Sequence, residues 1–100
     1  MSNVIDLVSF KLKEGVSEEE FLLASEELNV SFLSLQKGYI FRKLLKKEDT
    51  WTDLVLWETI DDANAMRASE EIHHNTLSYF DYIEENSCEF IQDLAVVKSY

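Results

Sequence analysis

The segment Trp51-Thr52-Asp53-Leu54-Val55-Leu56-Trp57 constrains the fold more than any other. Read as a strand, it puts Trp51, Val55 and Trp57 on one face and Leu54 and Leu56 on the other. Val4 to Leu12 behaves alike, with Val4, Val8 and Phe10 alternating against Ile5 and Leu7. A sheet with one face in water alternates apolar with polar residues. These strands do not, so both faces of their sheet need cover. Helices of the same chain supply one layer. A second copy of the sheet is the economical cover for the other.

The remaining segments fall into a regular order. Ser17-Glu18-Glu19-Glu20 is a capping box, and its three acids suit the positive end of a helix. Phe21, Ala24, Leu28, Phe32 and Leu35 follow at helical spacing, which predicts a helix over about 18 to 35, before Gly38. Tyr39 to Lys47 and Trp51 to Glu58 read as strands joined by a short polar turn at Glu48-Asp49. That turn places Ile40 opposite Trp57, Arg42 opposite Val55, Leu44 opposite Asp53 and Lys46 opposite Trp51. Thr59 or Asp61 caps a second helical region between about 61 and 86, which loses its period around Glu70 to Asn75. Glu89 to Lys98 is the last strand. The order β-α-β-β-α-β is that of a ferredoxin-like α+β fold, an antiparallel sheet with its helices on one face. One hundred residues make a single domain, 1–100, whose core is small enough to favour oligomerisation.

Composition excludes several functions. Twenty acidic against nine basic residues give a net charge of −11, which argues against nucleic acid and anionic membrane as partners. An apolar content of 46% argues against a disordered acidic tail. The single cysteine, Cys88, leaves no internal disulfide and no CxxC metal or redox motif. Met1-Ser2-Asn3 has no basic region and no long apolar run, so no signal peptide is expected, and no run approaches the ~18 apolar residues of a membrane span. The expectation is a cytoplasmic protein. No GxGxxG, P-loop, HExxH or GxSxG supports nucleotide-dependent or hydrolytic chemistry, and no cofactor is implied.

The strand face of Trp51, Asp53, Val55 and Trp57 also carries Arg42 and, alongside Val8 and Phe10, Asp6. Asp6, Arg42 and Asp53 there can orient a polar ligand group while the Trp57 and Trp51 rings hold a planar body. A desolvated aspartate can also serve as a base. Equally, Arg42 can simply neutralise Asp53 or Asp6. His73 and His74, adjacent on a helix, point ~100° apart and do not readily share one ion. Glu70 with His74 supplies only two ligands, so no metal site is built, and the histidines read as a proton shuttle or a solvated pair. Tyr79 can present its hydroxyl at a pocket mouth or on the exposed face, with Phe80 packed in the core. Cys88 has no adjacent base.

The run Phe10-Lys11-Leu12-Lys13-Glu14-Gly15 ahead of a capped helix, Gly38-Tyr39 opening a strand, and Trp51 through Thr59 with Ala63 soon after, resemble the dimeric α/β-barrel superfamily. The antibiotic-biosynthesis-monooxygenase-like domain is the branch they look most like. The resemblance implies a homodimer with its sheets face to face. It also implies a pocket in each subunit between sheet and helices, with Trp57 at it. Its haem-degrading branch uses a strand-one Asn and a helix-two His. Val8 and Arg67 stand at those places here, so the resemblance does not extend to haem. Three function classes follow: a small-molecule-binding protein for an aromatic or apolar ligand, a cofactor-independent monooxygenase acting on a phenolic, polyketide-like substrate, or a dimerisation module without catalysis.

Overall fold

The computed structural model describes residues 2–69 and 78–100. Its elements are β1 (Val4–Phe10), α1 (Glu18–Ser31), β2 (Tyr39–Lys47), β3 (Thr50–Trp57), α2 (Ile60–Ala68) and β4 (Glu89–Ala95). Short 3₁₀ turns lie at Leu33–Leu35 and Glu85–Ser87. The sheet order is β2-β3-β1-β4, and every neighbouring pair is antiparallel. This is the ferredoxin-like α+β arrangement expected from the segment order.

α1 starts where Ser17 accepts a hydrogen bond from the Glu20 amide at 3.3 Å. It stops at Ser31, earlier than the apolar spacing suggests. Phe32 leaves helical geometry (φ −136°, ψ −66°) to bury its ring, and Leu33–Leu35 continue as a 3₁₀ turn. Thr59 caps α2 by accepting from the Asp62 amide at 3.1 Å. Residues 78–80 are helical, but the helix does not reach 86. Ile83 instead forms a β-bridge with Leu12. The Lys13 amide donates to the Tyr82 carbonyl at 2.9 Å, and the Glu84 amide to the Lys11 carbonyl at 2.8 Å. Those bonds draw the chain away from the sheet after Phe10, so β1 is shorter than expected. β4 likewise ends at Ala95 rather than Lys98.

The β2–β3 register matches expectation at Arg42, Leu44 and Lys46. The turn is made by Glu48 at φ 56°. Ile40 does not face Trp57. An irregularity between Tyr39 and Phe41 puts Tyr39 opposite Trp57 and Phe41 opposite Leu56. The Tyr39 ring then stands edge-on to the indole at 6.2 Å. Tyr79 and Phe80 also exchange their expected roles: Tyr79 is 2% exposed in the core and Phe80 is 40% exposed.

On β3 the helix-facing residues Trp51, Asp53, Val55 and Trp57 are all buried. The opposite face carries two cross-strand apolar rows, Leu94–Ile5–Leu56–Phe41 and Ile91–Leu7–Leu54, the second ending at Lys43. Nothing among the described residues covers them, and Ile91 and Leu94 are 51% and 43% exposed. Among the described residues no helix is long and apolar enough to cross a membrane.

Gly38 ties the start of β2 to α2. Its φ is +85°, and an added Cβ would come within 2.5 Å of the Asp62 Cβ. Gly15 is also left-handed (φ +82°) but has open space around it. Gly15→Ala should therefore cost only the backbone penalty, ~1 kcal/mol. Gly38→Ala should cost about 3 kcal/mol, because overpacking adds to it. Urea denaturation of the two variants checks the difference.

Candidate functional site

Between the sheet and the helices lies a cavity of about 130 Å³. Val8, Leu28, Val55, Trp57, Met66 and Phe90 give it an apolar wall. Alternation on β1 and β3 delivers Val8, Val55 and Trp57 to this face. α1 and α2 add Leu28 and Met66 from above. Asp6, Asp53 and Tyr79 also border the cavity.

Both carboxylates are fully engaged. Asp53 receives two parallel bonds from Arg42, Nε to Oδ1 and Nη2 to Oδ2, each 2.9 Å. The Tyr79 hydroxyl donates to Asp53 Oδ2 at 2.7 Å. Arg42 spends Nη1 on the Ser25 carbonyl of α1 at 2.9 Å, and its guanidinium lies 5.4 Å from the Tyr79 ring centre. The Arg42 and Asp53 side chains are only 6% and 8% exposed. Burial on its own would lower the Arg42 pKa. The hydrogen bonds and charge of Asp53 outweigh it and hold the guanidinium above its ordinary value. Burial, and then the charge of Asp53, push the Tyr79 phenol far above its ordinary value, so it stays protonated.

Asp6 belongs to a separate group. Arg67 Nη1 donates to its Oδ2, and the Asp93 amide donates to its Oδ1 at 2.9 Å. Arg67 also donates to Asp93 Oδ1 at 2.8 Å. Asp93 sits at φ 61°, where the β1–β4 register shifts opposite Asp6. The bulge aims its amide at the carboxylate.

The structure thus brings Arg42, Asp53 and Tyr79 together, and lines one cavity with Asp6, Asp53, Trp57 and Tyr79. Asp6 does not join Arg42, because Arg67 takes it. Arg42 stands behind Asp53 as its neutralising partner. His73 and His74 lie outside the described residues. Reasoning from the chain alone overlooked the Arg67–Asp93 contact. Its one signal is Asp93 itself, a charge interrupting the apolar last strand.

Trp57 is fully buried, and its Nε1–H is the buried side-chain polar atom left without a hydrogen-bond partner among the described residues. A wider groove of about 560 Å³ passes Lys13, Glu84, Glu85 and Cys88. Burial and the nearby charges of Glu85 and Glu84 push the Cys88 thiol up, which disfavours a nucleophilic thiolate. Among the described residues no cluster of three metal-ligating side chains occurs.

Arg42→Met should destabilise the fold by about 3–5 kcal/mol, because it leaves Asp53 buried and unpaired. The double variant Arg42→Met/Asp53→Leu should recover most of that loss in urea melts. The raised Tyr79 pKa favours the folded state below pH 10, the ordinary phenol value. Above it the unfolded chain releases a proton that the folded chain keeps, so stability should fall by up to ~1.4 kcal/mol per pH unit. Tyr79→Phe should flatten that alkaline slope.

No family model matches the chain, and no curated protein matches it. Solved structures do. SnoaB from Streptomyces nogalater, a cofactor-independent oxygenase, superposes with a TM-score of 0.78 at 15% identity, over 98% of this chain and 97% of its own. A Bordetella bronchiseptica protein assigned as an antibiotic biosynthesis monooxygenase gives 0.79 at 16% identity, over 97% and 100%. One of the same assignment from Bacillus cereus gives 0.69 at 17% identity, over 100% and 96%. At such identities the likeness speaks for the backbone. The chain has the ferredoxin-like α+β fold of the antibiotic-biosynthesis-monooxygenase-like proteins.

Proposed function

We propose that the chain is a homodimeric small-molecule-binding protein whose pocket takes an aromatic or otherwise apolar compound. The observation that carries this is the apolar cavity between sheet and helices, with the Trp57 indole in its wall. Its volume, about 130 Å³, is close to that of an engineered apolar cavity of ~150 Å³ that binds benzene. Below ~300 Å³ it is too small for a drug-sized ligand.

The two uncovered apolar rows support the dimer. Lys43 and Lys47 border this face on β2 and Glu89 on β4, so a second copy turned to lay β4 over β2 would match opposite charges. Native mass spectrometry of the purified protein should show twice the 11.7-kDa chain. Leu54→Lys, in the centre of that face, should shift it to monomer. A monomeric wild type would sink the dimer. Bound small molecules would appear as added mass.

A cofactor-independent monooxygenase is the second reading, favoured by the fold shared with SnoaB. Phenol oxidation would consume one O₂, put one oxygen atom on the ring to give a quinone, and release the other as water. It needs a base for the phenolic proton. Among the described residues, Asp6 and Asp53 would have to leave their present bonds to serve, and Tyr79 keeps its proton; the histidine candidates for the base, His73 and His74, lie outside the described residues. On the binding reading, oxygen-electrode traces with single-ring phenols should stay flat. Phenol-dependent oxygen uptake would establish the second reading instead. A dimer that binds no ring compound would leave a dimerisation module.

A further inference from the structure

Resting on the cavity as a binding site, we infer that its ligand is a single-ring amine, and that its ammonium group sits at the Asp6 border against a surplus carboxylate charge. Three observations converge on this class, and the volume of about 130 Å³ limits the body to one ring and a short substituent.

The first is an uneven count of charges. Arg42 and Asp53 pair one to one. At the other border a single guanidinium, Arg67, serves two carboxylates, Asp6 and Asp93. That group holds one negative charge in excess. All nine lysines and arginines of the chain lie within the described residues. Of these, Arg67 alone forms an ion pair with Asp6 or Asp93. Residues 70–77 contain no lysine or arginine, so His73 and His74 are the only side chains there able to bring a positive charge.

The second is where the surplus lies. Asp6 lines the cavity beside Val8, Met66 and Phe90. One of its oxygens accepts from Arg67 and the other from the Asp93 amide. A carboxylate oxygen has two lone pairs, so an ammonium joins this group without displacing Arg67. It also leaves the Asp6 charge in place, where a proton taken from a phenol would remove it. The Asp6, Arg67 and Asp93 side chains are 14%, 22% and 34% exposed. An ammonium at this rim keeps part of its hydration while the ring is buried, which a fully buried cation would not.

The third is the field outside. The groove of about 560 Å³ shares Phe80 and Phe90 with the cavity, and carries Asp81, Glu84 and Glu85 against Lys13. Those acids draw cations toward this side of the cavity and repel anions.

The test compares benzylamine, benzyl alcohol and benzoate, one ring each with a short cationic, neutral or anionic group. Binding to the full chain is followed by calorimetric titration at about pH 8, where benzylamine is protonated and an unperturbed histidine is neutral. Benzylamine should bind about 10-fold more tightly than benzyl alcohol, the worth of one hydrogen bond to a charged group. Benzoate should bind more weakly than either. Raising the salt from about 0.01 M to about 1 M should narrow the benzylamine advantage and leave benzyl alcohol unchanged. Asp93→Asn balances the group from outside the cavity wall and keeps an oxygen for Arg67. It should erase most of the advantage without weakening benzyl alcohol. Asp49→Asn, in the β2–β3 turn, changes the net charge equally and should not. Benzyl alcohol or benzoate binding as tightly as benzylamine, or an advantage that Asp93→Asn touches no more than Asp49→Asn does, would overturn the amine and leave the site. No binding of any of the three would overturn the site and the inference together. The affinity order and the salt series are read on the wild type, so the test stands even where Asp93→Asn fails to fold.

Discussion

Arg42 joins three parts of this molecule. It crosses from β2 to β3 to grip Asp53, reaches the Ser25 carbonyl on α1, and lies against the ring of Tyr79. Removing two charges from water costs several kcal/mol per ion. Only a guanidinium that uses its planar fork in full makes such a pair tolerable in a core. The arrangement therefore sets the spacing between sheet and helix layer. Tyr79, stacked on Phe21 at 5.3 Å and bonded to Asp53, brings the 78–80 segment down onto the same node.

A second node, Asp6–Arg67–Asp93, stitches α2 to β1 and β4 at the opposite border of the cavity. The cavity lies between the two, which accounts for its character. The described charged residues at its border, Asp6 and Asp53, are each spent on another protein group. Among the described residues, what borders the space is chiefly carbon, from Val8, Leu28, Val55, Met66 and Phe90. The uncovered sheet face works differently. Among the described residues its rows hold apolar side chains without any polar node.

Much of the fold was readable along the chain. The period-two pattern of β1 and β3, the Ser17 and Thr59 caps and the Glu48-Asp49 turn are local signals, and local physics carries them. The errors fell where distant segments compete for the same backbone. Phe32 breaks α1 because its ring has a better place in the core than on the helix. The Tyr39–Phe41 bulge exchanges Ile40 for Tyr39 against Trp57. Tyr79 rather than Phe80 enters the core because Asp53 offers its hydroxyl a partner there. No spacing rule contains that bond. For the site, alternation alone could put Asp6, Asp53 and Trp57 on one face. The choice of Arg67 over Arg42 as partner of Asp6 depends on a bulge at Asp93, 87 residues away along the chain.

By itself the sequence determined the element order, the two-sided apolar sheet and the face on which its polar residues cluster. Those follow from periodicity and capping, which act within a few residues. The tertiary structure decided which arginine answers which carboxylate, which aromatic is buried, and that the space left between them is small and, among the described residues, mostly apolar. Burial is what decides such matters. A charge or an N–H removed from water must find its partner among whatever the fold brings within three ångströms, and that list exists only once the chain is packed.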